Sequence, residues 1–238
     1  KKSHEYDFML DEGYWYNETD IQYITNGLIK EHNITPALGT SENRPLKQLL
    51  EGVLEEYNTH YQPTFIPLNI RGNHWIALSV FKHEGNEYVF YKDSLGPIQY
   101  QVEREQVENL IKEYNPNMIF RYHSGQEQED SSSCGIFAIQ NIKLMSDKLT
   151  DKNKFIEDFS KEIFTSQQQA KQLRKDFNQV YTDQLQYDKI VRAVIRENHS
   201  PELLQIKDII GESQYSIRPL DKHESLNSTT EYNTLGID

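Results

Sequence analysis

The sequence predicts a fold of mixed α and β class whose strands come from the middle of the chain. Between residues 65 and 122, short apolar runs rich in β-branched and aromatic residues alternate with turn signals, as is typical of strands. On both sides of this block, apolar residues recur every three or four positions, which predicts amphipathic helices. With 36% hydrophobic and 11% aromatic residues among 238, the chain can bury a sizeable core.

Two helices are expected before the central strands. The first begins after Asn17, a favoured N-cap residue with Asp20 three positions later, and its apolar spacing continues to Ile29. Leucine and valine at helical spacing predict a second helix over residues 46–57. Residues 33–45 contain two prolines and a glycine and are predicted to form a loop.

The central block predicts four strands and one helix. Its clearest unit is a hairpin, because two apolar runs flank a turn that contains Gly85-Asn86. The predicted elements, in chain order, are strands over 65–70, 74–81 and 88–93, a helix over 100–114 and a strand over 117–122.

Helices joined by polar segments are predicted after the strands, and the last residues lose this pattern. The expected helices cover residues 133–147, 152–164, 166–182, 186–197 and 201–210. The residues after Gly211 are rich in Ser, Thr, Asn and Glu, which predicts an extended or poorly ordered tail. We therefore expect three regions, which are a domain of residues 1–183, a helical appendage of residues 184–211 and a tail of residues 212–238.

The composition disfavours several classes of protein. A net charge of −12 and a pI near 5.2 argue against nucleic-acid binding, which needs clustered basic residues. There is no run of about 18 apolar residues, so no transmembrane helix is expected. A single cysteine excludes intramolecular disulfides and zinc sites built from several cysteines. We expect neither a nucleic-acid partner, nor a membrane span, nor a metal.

The only cysteine, Cys134, lies at the start of a predicted helix. A serine-rich run precedes it, and Ser132 or Ser133 is a favoured N-cap residue. The N–H groups and dipole of a helix N-terminus stabilise a thiolate in the first turn. Cys134 is therefore a candidate nucleophile. The alternative is a buried, inert cysteine, which is the common case for a free thiol.

Two residues of the predicted hairpin are candidates for activating a thiol. A thiol nucleophile needs a base that takes its proton and a group that orients this base. His74 begins one strand and Asp93 ends the other, so pairing of the strands brings imidazole and carboxylate together. Taken singly, His74 is compatible with a surface turn and Asp93 with an ordinary strand end. Their placement at the same end of the hairpin favours an acid–base pair.

A glutamine upstream of Cys134 can complete such a site. Gln128 lies six residues before Cys134, and its amide could donate to a developing oxyanion together with the cysteine N–H. Gln126, two residues earlier, is a competing candidate. The residues by themselves leave this choice open.

The order of these residues resembles the Ulp/SENP-type cysteine proteases of clan CE. The similarity covers roughly residues 13–180. At Ser133 the chain departs from the family, which usually has aspartate before the cysteine, and in this it is closer to several bacterial members. Four segments carry the resemblance: Trp15-Tyr16-Asn17-Glu18-Thr19, then Phe65 to Ile70 leading into His74-Trp75, then Asp93-Ser94-Leu95, then Gln128 with Cys134-Gly135.

The resemblance implies a papain-like α+β fold with a central, mostly antiparallel sheet flanked by helices. It implies a catalytic triad of Cys134, His74 and Asp93. It also implies Gln128, rather than Gln126, as the oxyanion donor. No cofactor is implied.

The resemblance further implies a substrate channel beside the triad. Trp15 and Trp75 would flank a narrow passage, and Glu18 would contact substrate next to them. Two aromatic walls admit only residues without side chains, so such a channel selects a diglycine C-terminus by exclusion. Both tryptophans are also compatible with core packing.

These implications predict a monomeric thiol isopeptidase that removes ubiquitin or a ubiquitin-like modifier. We expect ubiquitin, because a chain of charge −12 suits its basic tail region better than it suits acidic SUMO. The alternatives are a protease for SUMO or another modifier, an acetyltransferase of the YopJ type, and a pseudoprotease that only binds a modifier.

The cellular location of the protein is predicted from its functional thiol and from the family resemblance. The chain starts with Lys1 rather than methionine and lacks an apolar signal region, so we expect a fragment of a longer protein. A functional thiol favours a reducing compartment, so the cytoplasm is expected. Bacterial members of the family include secreted effectors that cleave ubiquitin, which makes the host cytosol the alternative.

Overall fold

A computed structural model describes residues 5–35, 38–39, 45–159 and 163–197. Within these residues a six-stranded sheet is covered by helices, and the predicted α+β class is confirmed. The helix predicted over 201–210 and the tail of residues 212–238 lie outside the described residues.

The sheet is mixed, with long antiparallel pairs in the centre and short parallel pairs outside them. The strand order is β1-β3-β4-β5-β6, and β2 pairs with β3 beyond β1. The predicted antiparallel arrangement therefore holds for β3, β4 and β5, while β1, β2 and β6 pair in parallel. The strands are β1 (Asn33–Ile34), β2 (Leu38–Gly39), β3 (Thr64–Ile70), β4 (His74–His83), β5 (Asn86–Lys92) and β6 (Ile119–Tyr122).

The central strands are apolar on both faces because helices cover both sides of the sheet. Ile76 and Leu78 of β4 face a cluster formed with α2 and α3, whereas Ala77 and Phe81 face one formed with α4 and α5. This two-sided burial explains the almost continuous apolar run of β4. The helices are α1 (Glu18–Leu28), α2 (Leu46–His60), α3 (Gln101–Tyr114), α4 (Cys134–Lys148), α5 (Lys152–Asp158) and α6 (Gln167–Glu197).

Register within the hairpin decides which residues meet at its edge. Ala77 of β4 pairs with Lys92, the last residue of β5. The start of β4 therefore extends past the end of β5, and the residue after Lys92 lies beside that start. His74 begins β4 and Asp93 follows β5, so both lie at one edge of the sheet.

A second layer is formed by α1, α6 and the start of α4. The predicted capping box of α1 is confirmed, since the Asp20 N–H donates to the Asn17 side chain and the Asn17 N–H donates to Asp20, both at 2.9 Å. Gly135 allows close packing here, because a Cβ atom at this position would lie 2.8 Å from the Cβ of Tyr16. The N-terminus of α4 is thereby placed against the segment that precedes α1.

The prediction of two helices over 166–182 and 186–197 is wrong, because α6 is one uninterrupted helix. No glycine or proline occurs between residues 182 and 186, so nothing in the chain breaks the backbone pattern there. The predicted domain boundary at residue 183 falls inside this helix, and the division into domain and appendage stays a prediction. No helix among the described residues is long and apolar enough to cross a membrane.

Candidate active site

The hairpin edge brings His74 and Asp93 into direct contact. The imidazole Nε2 lies 2.7 Å from the Asp93 Oδ1, and both side chains are almost fully buried. The same Oδ1 accepts the Leu95 N–H at 2.9 Å, which fixes the carboxylate at the start of the turn after β5. Imidazole and carboxylate therefore meet in a dry environment where their interaction is strong.

The remaining side of the imidazole meets the thiol at the start of α4. Cys134 is 2% exposed and lies close enough to His74 to contribute to the raised pKa of the imidazole. Because Asp93 occupies Nε2, the ring nitrogen that is left for the sulfur is Nδ1. The structure thus brings together the three residues that were predicted as base, orienting acid and nucleophile.

The electrostatics of His74 favour its protonated form. Burial by itself lowers the pKa of His74, but the hydrogen bonds and charges of Asp93 and Cys134 outweigh burial and raise this pKa to about 9. An imidazolium at neutral pH stabilises a neighbouring thiolate, and a thiolate is the nucleophilic form of cysteine.

Gln128 is fully buried, and the turn after Asp93 holds its amide. Its Oε1 accepts the hydroxyl of Ser94 at 2.7 Å, and its backbone N–H donates to the Ser94 carbonyl at 2.8 Å. Its Nε2 donates to the Asp130 carbonyl at 2.9 Å. The competing candidate, Gln126, is exposed and donates to the Gln128 carbonyl, so it braces the loop.

Asp130 organises the loop between Gln128 and the cysteine. Its carboxylate accepts the N–H groups of Ser132 and Ser133, the Ser133 hydroxyl at 2.6 Å and the Gln167 amide at 2.6 Å. Burial alone raises the pKa of Asp130, but these hydrogen bonds outweigh it and lower the pKa. The loop therefore turns around a fixed negative charge.

The expectation that a serine side chain caps the cysteine helix α4 is wrong. Ser133 is the N-cap residue of α4, yet its side chain makes no capping hydrogen bond to the helix. Its hydroxyl donates to Asp130 instead, because that carboxylate lies three residues back in the same turn.

Arg174 of α6 joins the N-terminal segment to this loop. The guanidinium is buried and donates to the carbonyls of Tyr14 at 2.9 Å and Glu12 at 3.3 Å. It also lies 3.4 Å from the Ser133 hydroxyl, the residue before Cys134. A cation from a distant helix thereby joins the backbone of the segment before α1 to the side chain of the residue that precedes Cys134.

A buried ion pair joins the two chain segments that carry Asp93 and Gln128. Lys92 Nζ lies 2.6 Å from Glu127 Oε1, and both side chains are fully buried. Glu127 also accepts the Asn141 amide and the Thr165 N–H. Because Lys92 precedes Asp93 and Glu127 precedes Gln128, the pair joins the two segments that carry the acid and the amide.

A cleft of about 330 Å³ lies at the start of β4, where Asn73 and Trp75, the two sequence neighbours of His74, line it. Trp15 is 46% exposed at its rim, whereas Trp75 is only 4% exposed and its indole N–H donates to the Tyr16 carbonyl at 2.8 Å. Trp75 therefore combines the predicted wall with core packing. The lining consists of Trp15, Tyr16, Asn17, Glu18, Gly39, Asn69, Gly72, Asn73 and Trp75.

Several residues that shape the site were not predicted, although some carried a signal. Lys92 follows Phe90 on one face of β5, and a lysine on such a face indicates a buried ion pair. Arg174 lies between Ala170 and Phe177 on the buried stripe of α6, which is a similar signal. Asp130, ahead of three serines, has the pattern of an Asx turn.

A thiol at a helix start, a buried imidazole and a carboxylate, all carried by an α+β fold, define a cysteine protease of papain-like type. The family model "Ulp1 protease family, C-terminal catalytic domain" matches residues 41–181, which is more than half of the 238-residue chain. The chain belongs to this family, and the resemblance to Ulp/SENP-type proteases is confirmed.

Two solved structures share the fold at low sequence identity. The central domain of the uncharacterized Lpg1148 protein from Legionella pneumophila matches with 15% identity and a TM-score of 0.51, covering 73% of this chain and 99% of that one. The SUMO protease Ulp1, with its catalytic cysteine oxidized to a sulfenic acid, matches with 15% identity and a TM-score of 0.50, covering 74% and 81%. No curated protein sequence matches the chain.

The buried ion pair makes a prediction about stability. Lys92→Met leaves the Glu127 carboxylate buried without its cation, so the free energy of unfolding should fall by about 3–5 kcal/mol in denaturant titrations. The double substitution Lys92→Met/Glu127→Gln removes both charges and should cost less than Lys92→Met alone.

Lys112→Met is the matched control, because Lys112 forms an exposed i,i+4 pair with Glu108. Such a pair contributes at most about 1 kcal/mol. A Lys92→Met variant that is no less stable than Lys112→Met would contradict the role assigned to the buried pair.

Proposed function

We propose that this chain is a thiol isopeptidase that cleaves after the C-terminal diglycine of ubiquitin. The observation that carries the proposal is the buried cluster of Cys134, His74 and Asp93, with a cleft that has aromatic walls at the start of the strand that carries His74. Family membership supports the reaction class, and the shape and charge of the chain support the substrate.

In this proposal Cys134 is the nucleophile and His74 is the base and acid. The thiolate attacks the carbonyl carbon of the terminal glycine, and the imidazolium gives its proton to the leaving lysine amine as the C–N bond breaks. The neutral imidazole then takes a proton from water, which attacks the thioester and releases the modifier carboxylate. Asp93 keeps the ring oriented through both steps.

Gln128 and the N-terminus of α4 are proposed to stabilise the oxyanion. The first N–H groups of a helix have no acceptor within the helix, so those of the first turn of α4 can donate to a charge beside Cys134. The Gln128 amide is proposed as a second donor, because Ser94 and Asp130 fix its position next to the loop that leads into Cys134. Preorganised donors of this kind stabilise a transition state strongly.

The cleft supports specificity for glycine. Gly39 lies in its wall and packs closely against Glu18, since a Cβ atom added there would overlap the Glu18 carboxylate. Trp15 and Trp75 contribute flat aromatic surface on the same cleft. A modifier tail without side chains can pass between such walls, whereas a bulkier tail is excluded.

The charge of the cleft lining favours a protease over an acetyltransferase of the YopJ type. No lysine or arginine occurs among the lining residues described above, and Glu18 adds a carboxylate. Polyanionic groups such as those of coenzyme A bind best to clustered basic side chains. The overall charge of −12 further supports ubiquitin, with its basic tail region, over SUMO. We place this activity in a reducing compartment, the cytoplasm or a host cytosol.

A panel of C-terminal electrophile probes tests the proposal. The ubiquitin probe should form a covalent adduct on Cys134, detected by intact mass and peptide mapping, whereas Cys134→Ala should form none. The Cys134→Ala variant should still bind ubiquitin, because the cleft is unchanged. Labelling by a SUMO probe alone would contradict the choice of modifier, and labelling by no probe would contradict the isopeptidase assignment.

Asp130 is predicted to control turnover through the oxyanion loop. Asp130→Ala removes the acceptor of Ser132, Ser133 and Gln167, so the Gln128 amide loses its fixed position and kcat should fall about 100-fold with little change in KM. The measurement is steady-state cleavage of a ubiquitin substrate that carries a fluorescent leaving group.

Glu129→Ala is the control for Asp130→Ala. Glu129 is the adjacent carboxylate and is exposed, and it contacts Gln167 through its backbone N–H rather than its side chain. Glu129→Ala should keep wild-type kcat. Equal kcat values for the two variants would show that the Asp130 carboxylate does not position the loop.

A further inference from the structure

One aromatic side chain contacts the catalytic base without belonging to the triad, the oxyanion loop or the cleft lining. The ring of Tyr100 stacks on the imidazole of His74, with ring centroids 4.4 Å apart and planes 8° from parallel. Tyr100 is the residue before α3, and its carbonyl accepts the Arg104 N–H at 3.0 Å, so the helix start holds its backbone.

The position of Tyr100 separates the imidazole from solvent. His74 is 2% exposed, whereas Tyr100 is only half-buried and also packs against the cluster between the sheet and α2–α3. The tyrosine thus has one face on the imidazole and another part at the surface. A ring in this place both covers His74 and presents its π-electrons to it.

The negative charges of the site also affect the pKa of Tyr100. Burial, followed by the charges of Asp93 and Cys134, raises the pKa of the Tyr100 hydroxyl. The phenol is therefore neutral around pH 7, so Tyr100 acts on a neighbouring cation through its π-face rather than through a phenolate charge. A negative π-face attracts a cation that lies against it.

We propose that Tyr100 is a positioning residue for the catalytic base, whose ring face holds the His74 imidazolium in place and stabilises its charge. The proposal rests on the proposed function only for the role of the imidazolium in turnover. The stacking contact and its effect on protonation are properties of the free protein.

The other ionisable groups around this contact are few and can be separated from it. Asp93 and Cys134 are the groups that act on His74. Arg71 and Glu103 act on Tyr100 from the β3–β4 turn and from α3, and they are 3.4 Å apart as an ion pair with an exposed arginine. Substitution of Tyr100 leaves all four in place, so a change in His74 titration after that substitution reports on the ring.

Two substitutions of Tyr100 distinguish the effect of its aromatic face from the effect of covering the imidazole. Tyr100→Phe keeps the aromatic face and removes the hydroxyl. Tyr100→Leu keeps an apolar cover of the imidazole but removes the π-face, so water access changes little while stabilisation of the cation is lost. Tyr100→Ala would admit water, which favours the imidazolium and opposes the loss of the ring, so it is the less informative variant.

The test is an NMR titration of the His74 ring in isotopically labelled wild type, Tyr100→Phe and Tyr100→Leu, with His74→Gln used for assignment. The wild-type midpoint should lie near the pKa of about 9 given by the site. Tyr100→Phe should titrate with the wild type, and Tyr100→Leu should titrate about one pH unit lower. Equal midpoints in all three proteins, or a shift in Tyr100→Phe as large as in Tyr100→Leu, would overturn the proposal.

Activity provides a second readout with a defined sign. A raised pKa keeps His74 protonated up to high pH in the wild type. Loss of the Tyr100 ring should therefore shift the alkaline limb of the kcat/KM profile to lower pH, by the same number of pH units as the NMR midpoint. Because the NMR measurement needs no substrate, a protein that cleaves no modifier would contradict the proposed function and leave the Tyr100 result interpretable.

Discussion

The buried hydrogen bond between His74 and Asp93, at 2.7 Å, is the interaction on which the rest of the site depends. It exists because the register of β4 and β5 places both residues at one edge of the sheet. It keeps Nδ1 directed at Cys134 and helps to raise the pKa of His74 despite burial. Without it, burial would lower the pKa of the imidazole with less to oppose it, and the imidazolium next to Cys134 would be less stable.

The surroundings of this pair show how one short turn can position two catalytic functions. Asp93 orients the imidazole, and the next residue, Ser94, holds the amide of Gln128. The buried pair of Lys92 and Glu127 joins the same two segments one residue earlier on each side. Buried charges cost desolvation free energy, so their main contribution here is a fixed geometry rather than stability.

The part of the candidate site that depends on strand pairing and on the start of a helix was predictable from the sequence. A histidine and an aspartate at one end of a hairpin, and a cysteine at a helix start, follow from local patterns, and the structure brings these side chains together. The contacts of Arg174 and Tyr100 depend on how distant elements pack, and no local pattern contains that information. The unbroken α6 was missed because its apolar stripe weakens beyond Tyr181, although no residue there stops a helix.

The central claim is that His74 activates Cys134 as a nucleophile, and alkylation tests it most directly. Cys134 is the only cysteine, so iodoacetamide labelling followed by intact mass reports on this thiol alone. At neutral pH the wild type should be labelled at least about tenfold faster than His74→Gln, because only the wild type has an imidazolium next to the sulfur. Equal labelling rates in the two proteins would contradict the account.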